Sequence, residues 1–279
     1  MTTGAREAFL DGDERAVAKD LAFTRGDQAL AIIWPGHFRA ASWAFADPAA
    51  APIDLPTTTN FSRVVARADG TLIAAGYGAI MTHIAPDGAL AASQIADGGT
   101  LLDLAASDDG RSIAHLSSRG SVAVRAADGP ERIIAADRAI AIALDATGAT
   151  LAIASPGSVA RFDARRGDAL GAPIAAPSVG LVALALSPDG SRVAAGTLEG
   201  RVLVWDAAGA LLMDGRAHTQ RVSALAFTAS GRHLISASWD GTAIRWDLGV
   251  LDVPVARLVE RIEGAHGLDL AHAMRADLR

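Results

Sequence analysis

An imidazole, a hydroxyl and a carboxylate fall close together at His218, Ser236 and Asp240. Those three groups are the chemistry of nucleophilic catalysis. The carboxylate orients the ring, the ring takes the hydroxyl proton, and an oxyanion hole receives the developing charge. The reading requires an exposed Ser236 within hydrogen-bond reach of His218. Other groupings are weaker. Glu263, His266 and His272 cluster in a glycine-containing stretch without metal-ligand spacing. Arg161, Arg165 and Arg166 crowd a turn and read as solvated surface. No Gly-rich loop follows a strand and opens a helix as a phosphate cradle would. The Asp residues lie mostly in turns, so no carboxylate pair stands out for acid–base work. Zero Cys removes a thiolate nucleophile, thiolate metal ligands and disulfides. No cofactor and no metal are expected.

The elements that must position these residues repeat. An alternating apolar strand, a turn ending in Gly and a second apolar strand recur with turn glycines Gly26, Gly70, Gly110, Gly148, Gly190 and Gly231. Their spacings are 44, 40, 38, 42 and 41 residues, a period near 41. Each copy holds three or four short strands separated by Gly, Asp, Ser and Pro turns. A small antiparallel sheet with two apolar faces cannot bury both alone, so the copies must stack. Radial stacking closes them into a β-propeller that leaves only short edges.

With Ser187-Pro188-Asp189-Gly190 in the fifth copy, and Trp205-Asp206 and Trp246-Asp247 ending the third strands of the last two, the chain resembles the WD40-repeat β-propeller family. The fourth copy has Phe162-Asp163 at that position and the third Arg125-Ala126; the first two follow by spacing alone. The resemblance implies an all-β fold over residues 19–251, with six blades visible and seven the alternative. It also supplies another role for the catalytic-looking trio. In such blades a His before the first strand, a Ser in the second, an Asp in the next turn and a Trp in the third form a structural hydrogen-bond network. His218, Ser236, Asp240 and Trp246 match it in order and spacing, whereas the fifth copy has Pro177, Ala195 and Glu199 and keeps only Trp205. Partners of these proteins commonly dock on the face built by the loops before the first strand and after the second. The matching positions here are Trp239 and Leu198, with Arg221 and Ser223 beside them.

Residues 1–18 are read as an N-terminal segment that adds an outer strand to the last blade near Glu7–Leu10. Residues 252–279 are read as a short C-terminal amphipathic helix, because Val255, Leu258, Val259 and Ile262 share one face. The net charge is −6, and Lys19 is the one lysine among 25 basic residues. Heavy Arg and Ala use suggests a GC-rich bacterial genome. An acidic chain without a basic, aromatic-laced patch disfavours nucleic acid. A charged N-terminus and no apolar run near about 18 residues point away from a signal peptide and a membrane, towards the cytoplasm. On that reading Arg25-Gly26-Asp27 and Asn60-Phe61-Ser62, which match an adhesion tripeptide and a glycosylation acceptor, are inert. The expected function is a non-enzymatic protein–protein scaffold. The alternative is a regulatory or sensor subunit of a bacterial signalling or defence complex with its enzyme on a partner chain. A propeller hydrolase is disfavoured because the first strands, Leu101–Ala106 among them, read as almost wholly apolar.

Overall fold

In the computed structural model the described residues form six antiparallel sheets that follow one another along the sequence. The structure describes residues 20–252 other than 25–28, 35–38, 45–52, 56–60, 68, 77, 96–97, 127–128, 137 and 178–179; in the first sheet, Asp20, Ala22 and Ala31 alone have described side chains. The sheets span residues 20–55, 61–94, 101–135, 141–175, 181–216 and 222–247. Strands are hydrogen-bonded in chain order; the first five sheets have four strands and the sixth has three among the described residues. The strand expected near Glu7–Leu10, the turn at Gly26, the helix expected at 255–262 and the His266–His272 cluster lie outside the described residues.

The fifth sheet shows why these segments become strands. Its strands are Leu181–Leu186, Arg192–Thr197, Arg201–Asp206 and Leu211–Arg216. Uncharged runs such as Val193-Ala194-Ala195 and Val202-Leu203-Val204 are wholly buried, as strands covered on both faces must be. The first hairpin turns at Gly190, whose φ of +68° lies in a region that glycine alone enters freely. The side chains before that glycine lock the turn. Ser187 Oγ accepts the Arg192 N–H at 2.8 Å and donates to Asp189 at 2.6 Å, and Asp189 accepts the Ser191 N–H at 3.0 Å.

Each sheet packs its first strand against the first strand of the next. At the seams between the fourth, fifth and sixth sheets, large side chains of one sheet sit on a floor of smaller ones of the sheet before. Ala141, Ala143, Ala152, Ala154 and Val159 receive Leu181, Val193, Leu203 and Trp205. Ala194, Val202 and Val204 receive Val222, Leu225, Phe227, Leu234 and Trp246 in turn. The floor must be small because the sheets approach closely. A Cβ on Gly196 would come within 2.5 Å of Val222, and one on Gly215 within 2.5 Å of the Trp246 ring. Each Leu or Val so buried stabilises the fold by about 1.5–3 kcal/mol relative to exposure. Past the last strand, Leu248–Asp252 forms a 3₁₀ turn, and the Leu248 N–H bonds to the Arg232 carbonyl at 2.8 Å while its side chain is buried.

Two readings are corrected. Arg161 is not solvated surface: its guanidinium crosses to the fifth sheet and donates to the Ala207 carbonyl at 2.5 Å and the Gly190 carbonyl at 3.1 Å. Nor is the strand Leu101–Ala106 simply apolar. Asp103 in its middle accepts Arg63 Nε of the second sheet at 2.9 Å and the Ile142 N–H of the fourth at 3.0 Å. Asp20 accepts the Val64 N–H at 2.9 Å in the same manner. In-strand carboxylates thus tie the first strands of successive sheets to one another.

Candidate functional site

The sixth sheet is built of Val222–Phe227, His233–Ser238 and Ala243–Asp247. Its second hairpin turn, Trp239–Thr242, lies at the end of the sheet where the chain enters from the fifth. His218 stands just before the first strand, 3% exposed, with Ser236 wholly buried beside it. His218 Nε2 lies 2.7 Å from Ser236 Oγ, and Nδ1 lies 3.2 Å from Asp240 Oδ2 and 3.1 Å from Thr242 Oγ1. The Trp246 indole N–H donates to the same Ser236 oxygen at 2.9 Å. An acceptor-only carboxylate at Nδ1 places the ring proton there, so Ser236 donates its own proton to Nε2.

Asp240 is the anchor of the turn. It accepts the Thr219 N–H at 2.9 Å, the Thr242 N–H at 2.9 Å and the Thr242 hydroxyl at 2.6 Å. The Thr242 hydroxyl, then the two backbone N–H groups and His218, hold its carboxyl well below the usual carboxylate range. The proton order Ser–His–Asp is that of a hydrolase triad, yet the arrangement cannot act as one. Ser236 has no solvent access, and an indole N–H already occupies its oxygen. What the four side chains do is cross-link the entry loop, the middle strand, the turn and the last strand of one sheet.

Two sheets match a known repeat. Residues 175–206 and 209–247 match the family model described as the WD domain, G-beta repeat. The first match ends with the third strand of the fifth sheet, and the second runs from that sheet's fourth strand to the third strand of the sixth, so that both end in Trp-Asp. Among curated proteins, the chain is 39% identical over 75 residues to the pre-rRNA-processing protein IPI3 of Mycosarcoma maydis. It is 41% identical over 63 residues to the periodic tryptophan protein 2 homolog of Caenorhabditis elegans and 39% over 72 residues to the pre-rRNA-processing protein crb3/ipi3 of Schizosaccharomyces pombe. These segments are 26, 22 and 25% of this chain and 13, 7 and 16% of the respective relatives, so the likeness spans only a small part of each. All three relatives are eukaryotic, and none carries an enzyme, signalling or defence name. The bacterial qualifier and the bacterial signalling alternative therefore gain no support from them.

Within the WD40 repeats the remaining singled-out residues lie at the same end. Trp239 is 67% exposed and Leu198 53%. They are equivalent by hydrogen bonding: the Trp239 N–H bonds to the Arg221 carbonyl at 3.0 Å, and the Leu198 N–H to the Gly180 carbonyl at 2.8 Å. The Arg221 guanidinium carbon sits 5.1 Å from the Trp239 ring centroid, and its Nε is buried without a hydrogen-bond partner. Ser223 is exposed and donates to the Ala237 carbonyl at 3.2 Å. The turn after Leu198 abuts the sixth sheet's entry loop, since a Cβ on Gly200 would strike the His218 carbonyl. In the fifth sheet, where Ala195 replaces the Ser of the network, the Thr197 hydroxyl accepts the Glu199 and Arg201 N–H groups at 3.3 and 3.1 Å. That is a lighter brace than the sixth sheet has. Sequence reading passed over His115, 3% exposed in the third sheet, although an imidazole inside the strand Ile113–Ser117 is itself a signal.

Proposed function

We propose that the protein is a non-enzymatic scaffold that binds another protein at the end of the molecule where Trp239 stands. The observation that carries this reading is the indole itself, two-thirds exposed and backed by a guanidinium 5.1 Å from its centroid. A large ring preset by a cation loses little rotamer freedom on binding, and Trp with Arg is the pair enriched at interface centres. Leu198 on the neighbouring sheet and Ser223 extend the surface. The relatives named for pre-rRNA processing share little more than the repeat, so the partner is put forward as a protein and not as any particular assembly. The reading takes residues 19–251 as one six-bladed propeller whose last sheet is followed in the ring by its first. Six successive sheets, the first five each packed against the next, support it.

The test is affinity capture by the tagged full chain, followed by titration of whatever the wild type retains. Trp239→Ala and Arg221→Glu are expected to weaken the retained partner by roughly ten-fold or more, as truncating an interface centre does, with melting temperature nearly unchanged. Partners held equally well by the variants would refute the reading. A collapsed melting temperature would make the two residues structural.

A further inference from the structure

The first strands share an irregularity. In pairing with the second strand they skip Ser62, Leu102, Val182 and Ser223 in the second, third, fifth and sixth sheets. In the fourth, the Ile140 N–H reaches the Ala154 carbonyl although Ala141 is the residue paired with Ala154, so Ile140 holds that place. Each of the five stands eight residues before its turn glycine. Such a bulge turns a side chain out of the ladder and aims it elsewhere. Ser62 and Ser223 send their hydroxyls back to carbonyls of their own sheets. Leu102 is 47% exposed although Leu101 and Leu104 are buried, and Ile140 and Val182 are half-buried. The first strands of successive sheets pack side by side, so these three side chains form an apolar row across the third, fourth and fifth sheets. The row lies at the Trp239 end. Leu198 bonds to Gly180, two residues before Val182, as Trp239 bonds to Arg221, two residues before Ser223.

Charge at this end runs against the average of a chain whose net charge is −6. Among the described residues, the loops here carry Arg119, Arg138 and Arg221 against Glu199 and Asp240. Arg138 and Arg221 are equivalent, two residues before Ile140 and Ser223. No ion pair or hydrogen bond engages the three guanidinium groups among the described residues. Arg119 and Arg138 are exposed, and Arg221 rests on the Trp239 ring, a contact that uses none of its donors. Asp240, by contrast, is committed to Thr219, Thr242 and His218.

We propose that the apolar row seats an aliphatic side chain of an acidic, extended segment of the partner protein, whose carboxylates are met by Arg138 and Arg221. This deepens the reading of the Trp239 end as the docking face and rests on it. An aliphatic side chain taken from water onto the row supplies affinity. An unengaged guanidinium supplies the paired donors that a carboxylate accepts. The flanking cations repel a basic segment, and the apolar row offers a sugar-phosphate backbone no hydrogen bond.

The experiment is calorimetric titration of the full chain with blocked pentapeptides. The first has leucine between two pairs of glutamates; the second replaces the glutamates by glutamines, and the third replaces the leucine by glycine. The first is expected to bind roughly ten-fold or more tightly than either of the others. Leu102→Ser and Arg138→Gln should each weaken it by roughly ten-fold, while Arg232→Gln, at the opposite end, leaves it unchanged. Both positions are exposed, so the melting curves should stay with the wild type; if Leu102→Ser melts early, the peptide series on the wild type still decides. Equal affinity for all the peptides, or no binding of the first, would overturn the proposal. So would a short oligothymidylate bound as tightly as the first peptide. A captured partner weakened by Trp239→Ala but not by Leu102→Ser or Arg138→Gln would overturn this inference alone. A partner indifferent to all three variants would end both readings.

Discussion

Ser236 holds one oxygen between two nitrogens, His218 Nε2 at 2.7 Å and the Trp246 indole at 2.9 Å, with Ser236 and His218 both buried. Removing that oxygen leaves the buried His218 nitrogen and the half-buried indole N–H without this partner. The cost is the desolvation of a donor and an acceptor left unpaired, more than the net worth of the two bonds. Ser236→Ala is therefore expected to lower unfolding stability by about 1–3 kcal/mol, read as a shifted urea midpoint with an unchanged slope. The indole fluorescence should shift with it, because the Trp246 N–H loses its acceptor. A midpoint equal to wild type would mean that the network contributes shape and no net stability.

At the scale of the element, each sheet is braced within itself by turn side chains and against its neighbours by close packing. Glycine at 215 is required by approach and not by backbone angle: the outer strand of the fifth sheet passes under the Trp246 ring of the sixth. Gly215→Ala would overpack that seam, since the ring atom lies 2.5 Å from the new carbon. The expected loss is about 1–3 kcal/mol, typical of extra methyl groups in a packed core. Hydrogen exchange should locate it in the fifth and sixth sheets, leaving protection in the second and third unchanged. Protection lost evenly across the chain would argue for one cooperative unit. Arg161, Asp103 and Asp20 act at the same scale, each reaching from one sheet to the next.

For the molecule as a whole, closure of the ring turns on the far face of the sixth sheet. Ala224, Ala226, Ala243 and Arg245 are exposed there, and Ile235 is 41% exposed. Position for position this is the face that Ala183, Ala185, Val202 and Val204 form on the fifth sheet, where the next sheet buries it. A six-bladed ring covers this face with the first sheet. Under that arrangement Ala226→Glu would bury a carboxylate against apolar side chains and lower the melting temperature by several degrees, as an unpaired buried charge does. A melting temperature within about a degree of wild type would mean that the face is open in solution.

The sequence by itself determined what is decided within a few residues or by regular repetition. Turn glycines, the Ser and Asp beside them, and apolar alternation specify hairpins locally, so six sheets near a 41-residue period were legible without coordinates. His218, Ser236 and Asp240 stood out by their types and spacing, and the resemblance to the WD40 repeat joined Trp246 to them; one sheet's own hairpins bring all four within reach. Only the tertiary structure decided what depends on residues a whole repeat away. The exposure of Trp239, the reach of Arg161 to Ala207 and the two ties on Asp103 are all relations between sheets. No local pattern encodes them, because how closely two sheets pack is set jointly by side chains on both.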